Sequence, residues 1–534
     1  MHKTKSNKGK KKDMTQTAIA TAPQAKRDFT NTNGAQATAT GDRLTASLRS
    51  KLNEPAQSPE FDLHAGTDEV LQEVGLTTAD AGGKLTFYGQ DPIVPSSVRF
   101  GAMAAIGLAA KTIGMAALWR ARTGEGQDIS VDVRKALQRF CCFFEGKWET
   151  INGRPPATDT DNPFFKLPLF RETRDGRHVV PLNFYPKLRT RTLNFLRCSD
   201  SAESIQNAIL QWRGEELETA AAEAGIVMGM VRTNDEFRNE LQYTEVLSKM
   251  PLITLEKIGE SEPVPFKQGG RSPLDGIRAF GMGHVIAGAG IGRDLALYGA
   301  DVLNIWRPND TEVEGFFWDV QVGMRSTILD NSKEDRVKFD RLLKDADVFF
   351  ANKRPGYLKR NGLDAEELCA KKPGLSHATV VTHGDKGPWA NRPGFDEIGA
   401  AVAGLFSIEG TPTQPKQPPI VPICDNVVGW LGTVGILAAL RQRAVEGGSY
   451  RVVVSLTRTV LWLLSLGIFD KKYAQATAGS SDEHTLVPPD LFTADTPLGR
   501  YQGITDQVQM SRTSGSFRTV LVPRGSCKPE WLEP

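Results

Sequence analysis

Histidine and cysteine are scarce: the 534 residues include seven of the first and six of the second. Cys141, Cys142, Cys198, Cys369, Cys424 and Cys527 contain no C-x-x-C pair, and their spacing suggests neither a disulfide framework nor a zinc site. A reducing compartment is the simplest expectation. No H-E-x-x-H occurs, so no metal is expected. Charge of one sign is also missing. The 65 basic and 63 acidic residues leave +2, which gives no electrostatic case for binding nucleic acid or a membrane surface. Long apolar runs are few. Val452–Phe469 is interrupted by Arg458, and its unbroken part, Val460–Phe469, is too short to span a bilayer, so it is expected as a buried element. The N-terminal text lacks the apolar core of a signal peptide, and cytoplasmic is the default expectation.

What is present reads as globular. Apolar residues make up 40% and charged residues 24% of the chain. Single cores stop growing near roughly 250–300 residues, so two or more domains are expected. Residues 1–45 read as a disordered tail: a lysine run from Lys3 to Lys12, then Ala, Thr, Gln, Asn and Gly. Residues 46–137 read as a first helical and extended half-domain, ending in a strand over Asp128–Val133. Residues 138–268 read as a small α+β domain, with a strand at His178–Leu182 and helices near 200–224 and 234–248. Residues 269–460 alternate strands with helices, and 461–534 form a closing segment. The strands expected in that fourth part are Gly276–Phe280, Val302–Trp306, Ser326–Leu329, Val348–Ala351 and Ala378–Thr382. Helices near 288–299, 334–345 and 364–370 lie between them. That rhythm predicts an α/β fold with a parallel, Rossmann-like sheet. There is also an internal echo. Ile113–Val133 and Val434–Leu456 both run from a small-residue helix through a basic turn with glycine into an extended segment.

The glycine text Gly281-Met-Gly283 and Gly288-Ala-Gly290-Ile-Gly292 follows a strand and opens a helix, as a nucleotide loop would. It fails the dinucleotide fingerprint, because Ile286 or Arg293 falls where the last glycine belongs, so NAD chemistry is not expected. Those glycines serve either packing or close approach to a ligand. Asn352-Lys-Arg354-Pro-Gly356, with Arg360 beyond, lies at the carboxyl end of a strand, where ligands of open parallel sheets bind. Asp396 and Asp425 each open a small-residue helix, as a cap or as a positioned carboxylate. Cys424 has no strong basic neighbour in sequence that would make it a nucleophile. Leu521–Ser526 matches a thrombin recognition sequence, but Cys527–Pro534 after it is no familiar tag, so the segment is read as native.

Together these pieces resemble the family III CoA-transferases (the CaiB/BaiF family, which includes formyl-CoA transferase and alpha-methylacyl-CoA racemase). The similar text runs over about 273–456. It includes Pro273–Arg278, Gly299–Pro308, Arg325–Asp330, Asp347–Leu363, Gly387-Pro388 with Arg392–Gly404, Asp425, and Gly435–Leu440. The N-terminal half resembles the same family out of order. Ala116–Val133, Arg174–Val180 and Ala224–Arg232 look like parts that ordinarily come later, so the domain order is shifted.

The resemblance implies CoA transfer from an acyl-CoA to a carboxylic acid through a covalent aspartyl intermediate. Asp425 would be the nucleophile and Asp396 a supporting carboxylate. Val285, Arg307, Leu329, Asn352, Arg354 and Arg360 would contact CoA, with no metal and no NAD. It also implies a homodimer. Aligning Ala116-Ala117-Leu118 with Ala438-Ala439-Leu440 sets Met103 opposite Asp425, so one site per chain is expected. The racemases of the family carry a His just before the Asp of G-x-D. Phe395 stands there and cannot take a proton, which favours transfer over racemisation. Trp306 and Ile286 depart from residues common in the family, which leaves a non-catalytic CoA-binding homologue, or an acyl-CoA racemase or isomerase, as the alternative.

Overall fold

The computed structural model describes residues 34–141, 145–157, 162, 164 and 169–533. In chain order its frame consists of helix α1 (Gly34–Asn53), α2 (Phe100–Thr123), α3 (Pro186–Leu196), strands β1 (Thr254–Gly259) and β2 (Arg278–Met282), and helix α4 (Ala287–Leu297). Strands β3 (Asp301–Trp306), β4 (Arg325–Ile328), β5 (Val348–Ala351) and β6 (Ser376–Val381) follow, then helices α5 (Asp396–Ala403) and α6 (Asp425–Glu446), and strand β7 (Ser449–Ser455). The seven strands form one sheet in the order β4-β3-β2-β5-β6-β7-β1. Neighbours are parallel except β1, which pairs antiparallel with β7. The expected α/β fold is therefore present, and each strand and helix expected between 276 and 382 lies within a few residues of its observed place.

The near-continuous apolar text of β5 (Val-Phe-Phe-Ala) and β7 suits strands covered on both faces by crossover helices. Beyond the β4 edge, residues 520–532 run as a strap. Cys527 N–H donates to Ser326 O (2.7 Å), Gly525 N–H to the Ser326 hydroxyl (2.9 Å), and the Trp531 indole to Leu342 O (3.1 Å). The thrombin-like text is thus docked against the sheet edge, with Leu521 buried.

The partition expected from sequence is corrected in three places. Residues 34–45 are not tail but part of α1, because Leu44 and Leu48, four residues apart, bury one face in the core. The lysine run lies outside the described residues. Residues 46–137 do not stand apart: α2 packs along α6, and one apolar cluster extends from Leu44 to Met510. The small domain, with its sheet of Arg171–Glu172, His178–Val180 and Gly229–Met230, keeps its own core around Val179, Ile205, Ile209 and Leu217. Its text nevertheless gives β1 to the large sheet.

Val452–Phe469 is buried as expected, in β7 and a following helix. The apolar helical text of Ala104–Trp119 belongs to a longer helix than Val460–Phe469. α2 has 24 residues and the composition of a membrane span, yet its most apolar window is 100% buried in protein.

Candidate active site

The chain leaves β2 toward β3 on one side and later returns to β5 on the other. The carboxyl ends of β2 and β5 thus flank the switch point where open α/β sheets bind ligands. α4 and α6 both begin at that end. They cross at glycines: a Cβ on Gly429 would lie 3.1 Å from Ala287 O, and one on Gly290 would lie 4.0 Å from Gly429 Cα. Each glycine sits about one turn into its helix, so the loop before α4 and the start of α6 share one end of the crevice. The other glycines of this text serve packing. Gly281 and Gly292 face Phe350, Gly283 faces Ala289 and Gly288 faces Asn352, each too closely for a side chain.

Side chains pin the loop before α4. His284 N–H donates to Asn352 Oδ1 (2.9 Å), and Asn352 Nδ2 donates back to His284 O (2.7 Å). Asn304 makes the same two-way contact with Gly283, 2.9 Å in each direction. Val285 N–H donates to Glu312 Oε2 (2.8 Å). These bonds hold Val285 at φ +56°, a left-handed conformation that costs a β-branched residue on the order of 1–3 kcal/mol.

Asp396 and Asp425 meet at the start of α6. Asp396, fully buried, accepts from Cys424 N–H (3.0 Å), from the Cys424 thiol (2.8 Å) and from Ile423 N–H. Asp425 is 7% exposed and is the first residue of α6. Burial pushes its carboxyl well above the usual carboxylate range, and the charges of Asp396 and Glu397 push it further. Asp396 has three donors for its charge, so of this buried pair Asp396 holds the anion and Asp425 the proton. Glu397 is itself raised to about 8, by burial and by Asp396. Burial and Asp396 also raise the Cys424 thiol, which keeps it protonated and a poor nucleophile. The N–H groups of Ile423, Cys424 and 283–285 are thus already engaged. Helix geometry leaves those of Asp425, Asn426 and Val427 without intrahelical acceptors, beside a dipole that favours negative charge.

The expected CoA residues divide into two groups. Val285, Asn352, Arg307 and Arg354 line the crevice loops. The Arg307 guanidinium grips Asp310 (2.9 and 2.6 Å) and lies over the Tyr357 ring at 5.0 Å, while Arg354 donates to Gly225 O across in the small domain (3.0 Å). Arg360 lies exposed at the end of a short helix, Tyr357–Arg360. The Leu329 side chain is 4% exposed and packs with Phe280, Met282 and Leu303 beneath the site, so only its backbone is near the rim.

The sequence reading named Arg307 but missed the side chains around it, His284, Lys353 and Asp310, and also Tyr185, Glu312 and Phe184. His284, Lys353 and Arg307 all converge on Asp310, at 2.9, 3.1 and 2.6 Å. Burial pushes Asp310 up, but the bonds from His284 and Arg307 and the Lys353 charge outweigh it and hold its carboxyl well below the usual range. Burial lowers Lys353 to about 8. Tyr185, just ahead of α3, donates to Glu312, and its own ionisation is pushed far up by burial and then by Glu312 and Asp425. Phe184 stacks on Phe395 at 5.5 Å and completes an aromatic wall beside the acids. Only the Asn-Phe-Tyr-Pro text ahead of a helix could have flagged Tyr185.

A buried clamp holds the Asp396 segment from behind. Glu218 of the small domain accepts from Arg232 (2.9 and 2.7 Å), from Arg392 (3.0 Å) and from Met230 N–H (2.7 Å). Both guanidiniums lie over the Trp389 ring, at 5.1 and 4.2 Å. Burial raises Glu218, but the two arginines outweigh it and keep the carboxylate ionised. Arg392 is four residues before Asp396, so the small domain positions the acid pair.

Residues 274–497 match the profile of CoA-transferase family III. Over 239 residues the chain is 32% identical to an acetyl-coenzyme A transferase, nodX, of Hypoxylon pulicicidum, covering 43% of this chain and 38% of that one. Over 205 residues it is 30% identical to the succinyl-CoA–D-citramalate CoA-transferase of Chloroflexus aurantiacus, covering 36% and 51%. The chain thus spans about half the length, or less, of these curated relatives. Among solved structures, a CaiB/BaiF family protein from Brucella suis is 26% identical, with 43% of this chain and 65% of that one covered and a TM-score of 0.34. The resemblance read from residues 273–456 is therefore borne out over the matched stretch.

Proposed function

We propose that the chain is a CoA-transferase that moves CoA from an acyl-CoA to a carboxylic acid, with Asp425 as the covalent carrier. One observation carries this reading: a buried aspartate opens α6 at the sheet's switch point, next to a pinned loop, within the stretch that matches CoA-transferase family III.

The ionised Asp425 carboxylate attacks the donor thioester carbonyl, the C–S bond breaks, and an acyl-aspartyl anhydride forms with release of CoA thiolate. The thiolate attacks the aspartyl carbonyl carbon, the donor carboxylate leaves, and Asp425 carries CoA as a thioester. An acceptor carboxylate attacks that carbonyl and expels the thiolate, which then takes the acyl group from the new anhydride and regenerates Asp425. Each step divides one hard acyl transfer into easier ones. The developing oxyanions lie within reach of the N–H groups in the first turn of α6. Asp396, fixed by its three donors, holds a charge that keeps Asp425 reactive once ionised. Phe184, Tyr185 and Phe395 wall the acyl side and keep water from the anhydride.

Incubation with a panel of acyl-CoAs, a hydroxylamine quench and mapping of peptide Gln417–Arg441 tests this. A hydroxamate on Asp425 is expected with usable donors. CoA binding without any adduct would turn the reading to a CoA-binding protein without transfer activity.

A further inference from the structure

Arg191, on helix α3 of the small domain, and Arg354, after β5 of the large sheet, point at one oxygen. Their guanidiniums donate to the Gly225 carbonyl, at 3.3 and 3.0 Å. Gly225 has φ +67°, and a Cβ there would lie 2.9 Å from Arg191 Nη1, so the close approach depends on glycine. Neither arginine has a carboxylate partner among the described residues. Arg307 is near enough to act on Arg354 electrostatically, and so is Arg191. Asp310, the carboxylate that pairs with Arg307, is already shared with Lys353 and His284. Two like charges share one neutral carbonyl, with the Asp310-paired Arg307 close enough to add to their repulsion, and a polyanion would relieve it. Arginine's planar fork suits phosphate oxygens, and the cluster stands at the strand ends where the loops after β3 and β5 open.

We infer that Arg191 is a phosphate ligand of the bound CoA, supplied by the small domain, so that the nucleotide end is gripped between the two domains by Arg191, Arg354 and Arg307. This rests on the CoA-transfer reading and extends it to a residue outside the stretch matched by the family profile. The small domain then acts twice, through Glu218 on the acid pair and through Arg191 on the nucleotide.

Calorimetric titration of the full chain with CoA, dephospho-CoA and pantetheine tests the assignment. Arg191→Ala should weaken CoA about tenfold or more, as loss of a charge-assisted bond does. Arg191→Lys should recover part of that loss. Pantetheine affinity and the melting temperature should stay unchanged, since Arg191 is exposed and its side chain's hydrogen bond, among the described residues, is to Gly225 O. If the loss disappears with dephospho-CoA, Arg191 holds the 3′-phosphate; if it persists, the diphosphate; both support the clamp. Unchanged CoA affinity in Arg191→Ala, with a clear loss in Arg354→Ala, would overturn it while leaving the transferase reading intact. A wild-type chain that binds no CoA would instead remove that reading, and the clamp with it.

Discussion

The chain writes the same unit twice and uses it in opposite ways. α2 with the strand Ile129–Asp132, and α6 with β7, are both small-residue helices that lead through a basic, glycine-bearing turn into a strand. They lie side by side. A Cβ on Gly107 would be 2.9 Å from the Trp430 ring, and one on Gly114 2.8 Å from Leu437, a step of seven residues on both helices, so they run parallel. Their beginnings differ. At α2 the carboxylate of Asp91 accepts Gly101 N–H (3.0 Å) and Ala102 N–H (2.7 Å), so protein fills the anion site of the first turn. At α6 the equivalent service comes from Asp396 to Ile423 and Cys424, before the helix begins, and the first turn is left to Asp425. A satisfied helix start makes a buttress; moving its anion a few residues upstream makes a site. Lys111, buried in α2 against Asp294 (2.9 Å) and Asp506 (2.8 Å), underlines the first role: it ties three distant stretches of chain together.

The largest effect that would sharpen this contrast is at the paired positions themselves. Asp425→Asn should lower CoA transfer by at least about 10³-fold, as loss of a nucleophile does, while CoA binding survives. Met103→Asp, at the echo position, should create no activity. It should instead cost several kcal/mol of stability, because Met103 is fully buried and an unpaired carboxylate has no donors there. Full transfer activity in Asp425→Asn would break the comparison outright. Next comes the clamp that serves only the second unit. Glu218→Ala leaves the buried Arg232 with Glu240 alone (2.9 Å) and the half-buried Arg392 without its carboxylate, so thermal unfolding should report a loss of about 1–3 kcal/mol. The transfer rate should fall further than CoA affinity does, because Arg392 no longer fixes the approach to Asp396. Equal falls in rate and affinity would mean that the clamp supports the fold alone.

Much of this was legible in the sequence because it was local. The alternation between 276 and 382 fixed the strands to within a residue or two, since β5 and its neighbours are short apolar runs bounded by turn residues. Asp425 stood out because a carboxylate sat between two apolar stretches. The contacts that give the site its character are long-range and leave no local mark. Tyr185 reaches Glu312 across 127 residues and Glu218 reaches Arg392 across 174. The glycines of the 281–292 text were ambiguous for the same reason: whether a missing Cβ faces a ligand or Asn352 depends on what β5 brings opposite. The start of α1, residues 34–45, was misread as tail because one leucine among polar residues, Leu44, carries too little signal until the partner surface is known.

The glycine crossings give a smaller effect that still separates the two units. Gly107→Ala in α2 presses a methyl group on Trp430, so it should cost about 1–3 kcal/mol in unfolding experiments and leave CoA affinity and pH profile unchanged. Gly429→Ala in α6 presses on Ala287 O at the mouth of the crevice, and there the rate should fall together with stability. Matching rate losses in both variants would mean that α2 is as close to the chemistry as α6 is.

The finest test is the pH profile, which reads the state of the free enzyme through kcat/KM. Asp425 must be ionised to attack, and its carboxyl lies well above the usual carboxylate range because it is buried and because Asp396 and Glu397 are close. A raised value means the reactive form is depleted as pH falls through it, so activity should be lost on the acid side at a higher pH than an ordinary aspartate would give. Glu397→Gln removes one of the two repelling charges. The acid limb should then move to lower pH, with activity gained on that side and little change on the alkaline plateau. Asp91→Asn, the same kind of change at the start of α2, removes a buried carboxylate that bonds only its own helix start and the loop before it, so the limb should stay in place. A limb that moved equally in both variants would show that the two helix starts share one electrostatic environment. A limb that Glu397→Gln left in place would show that a group other than Asp425 controls the rate.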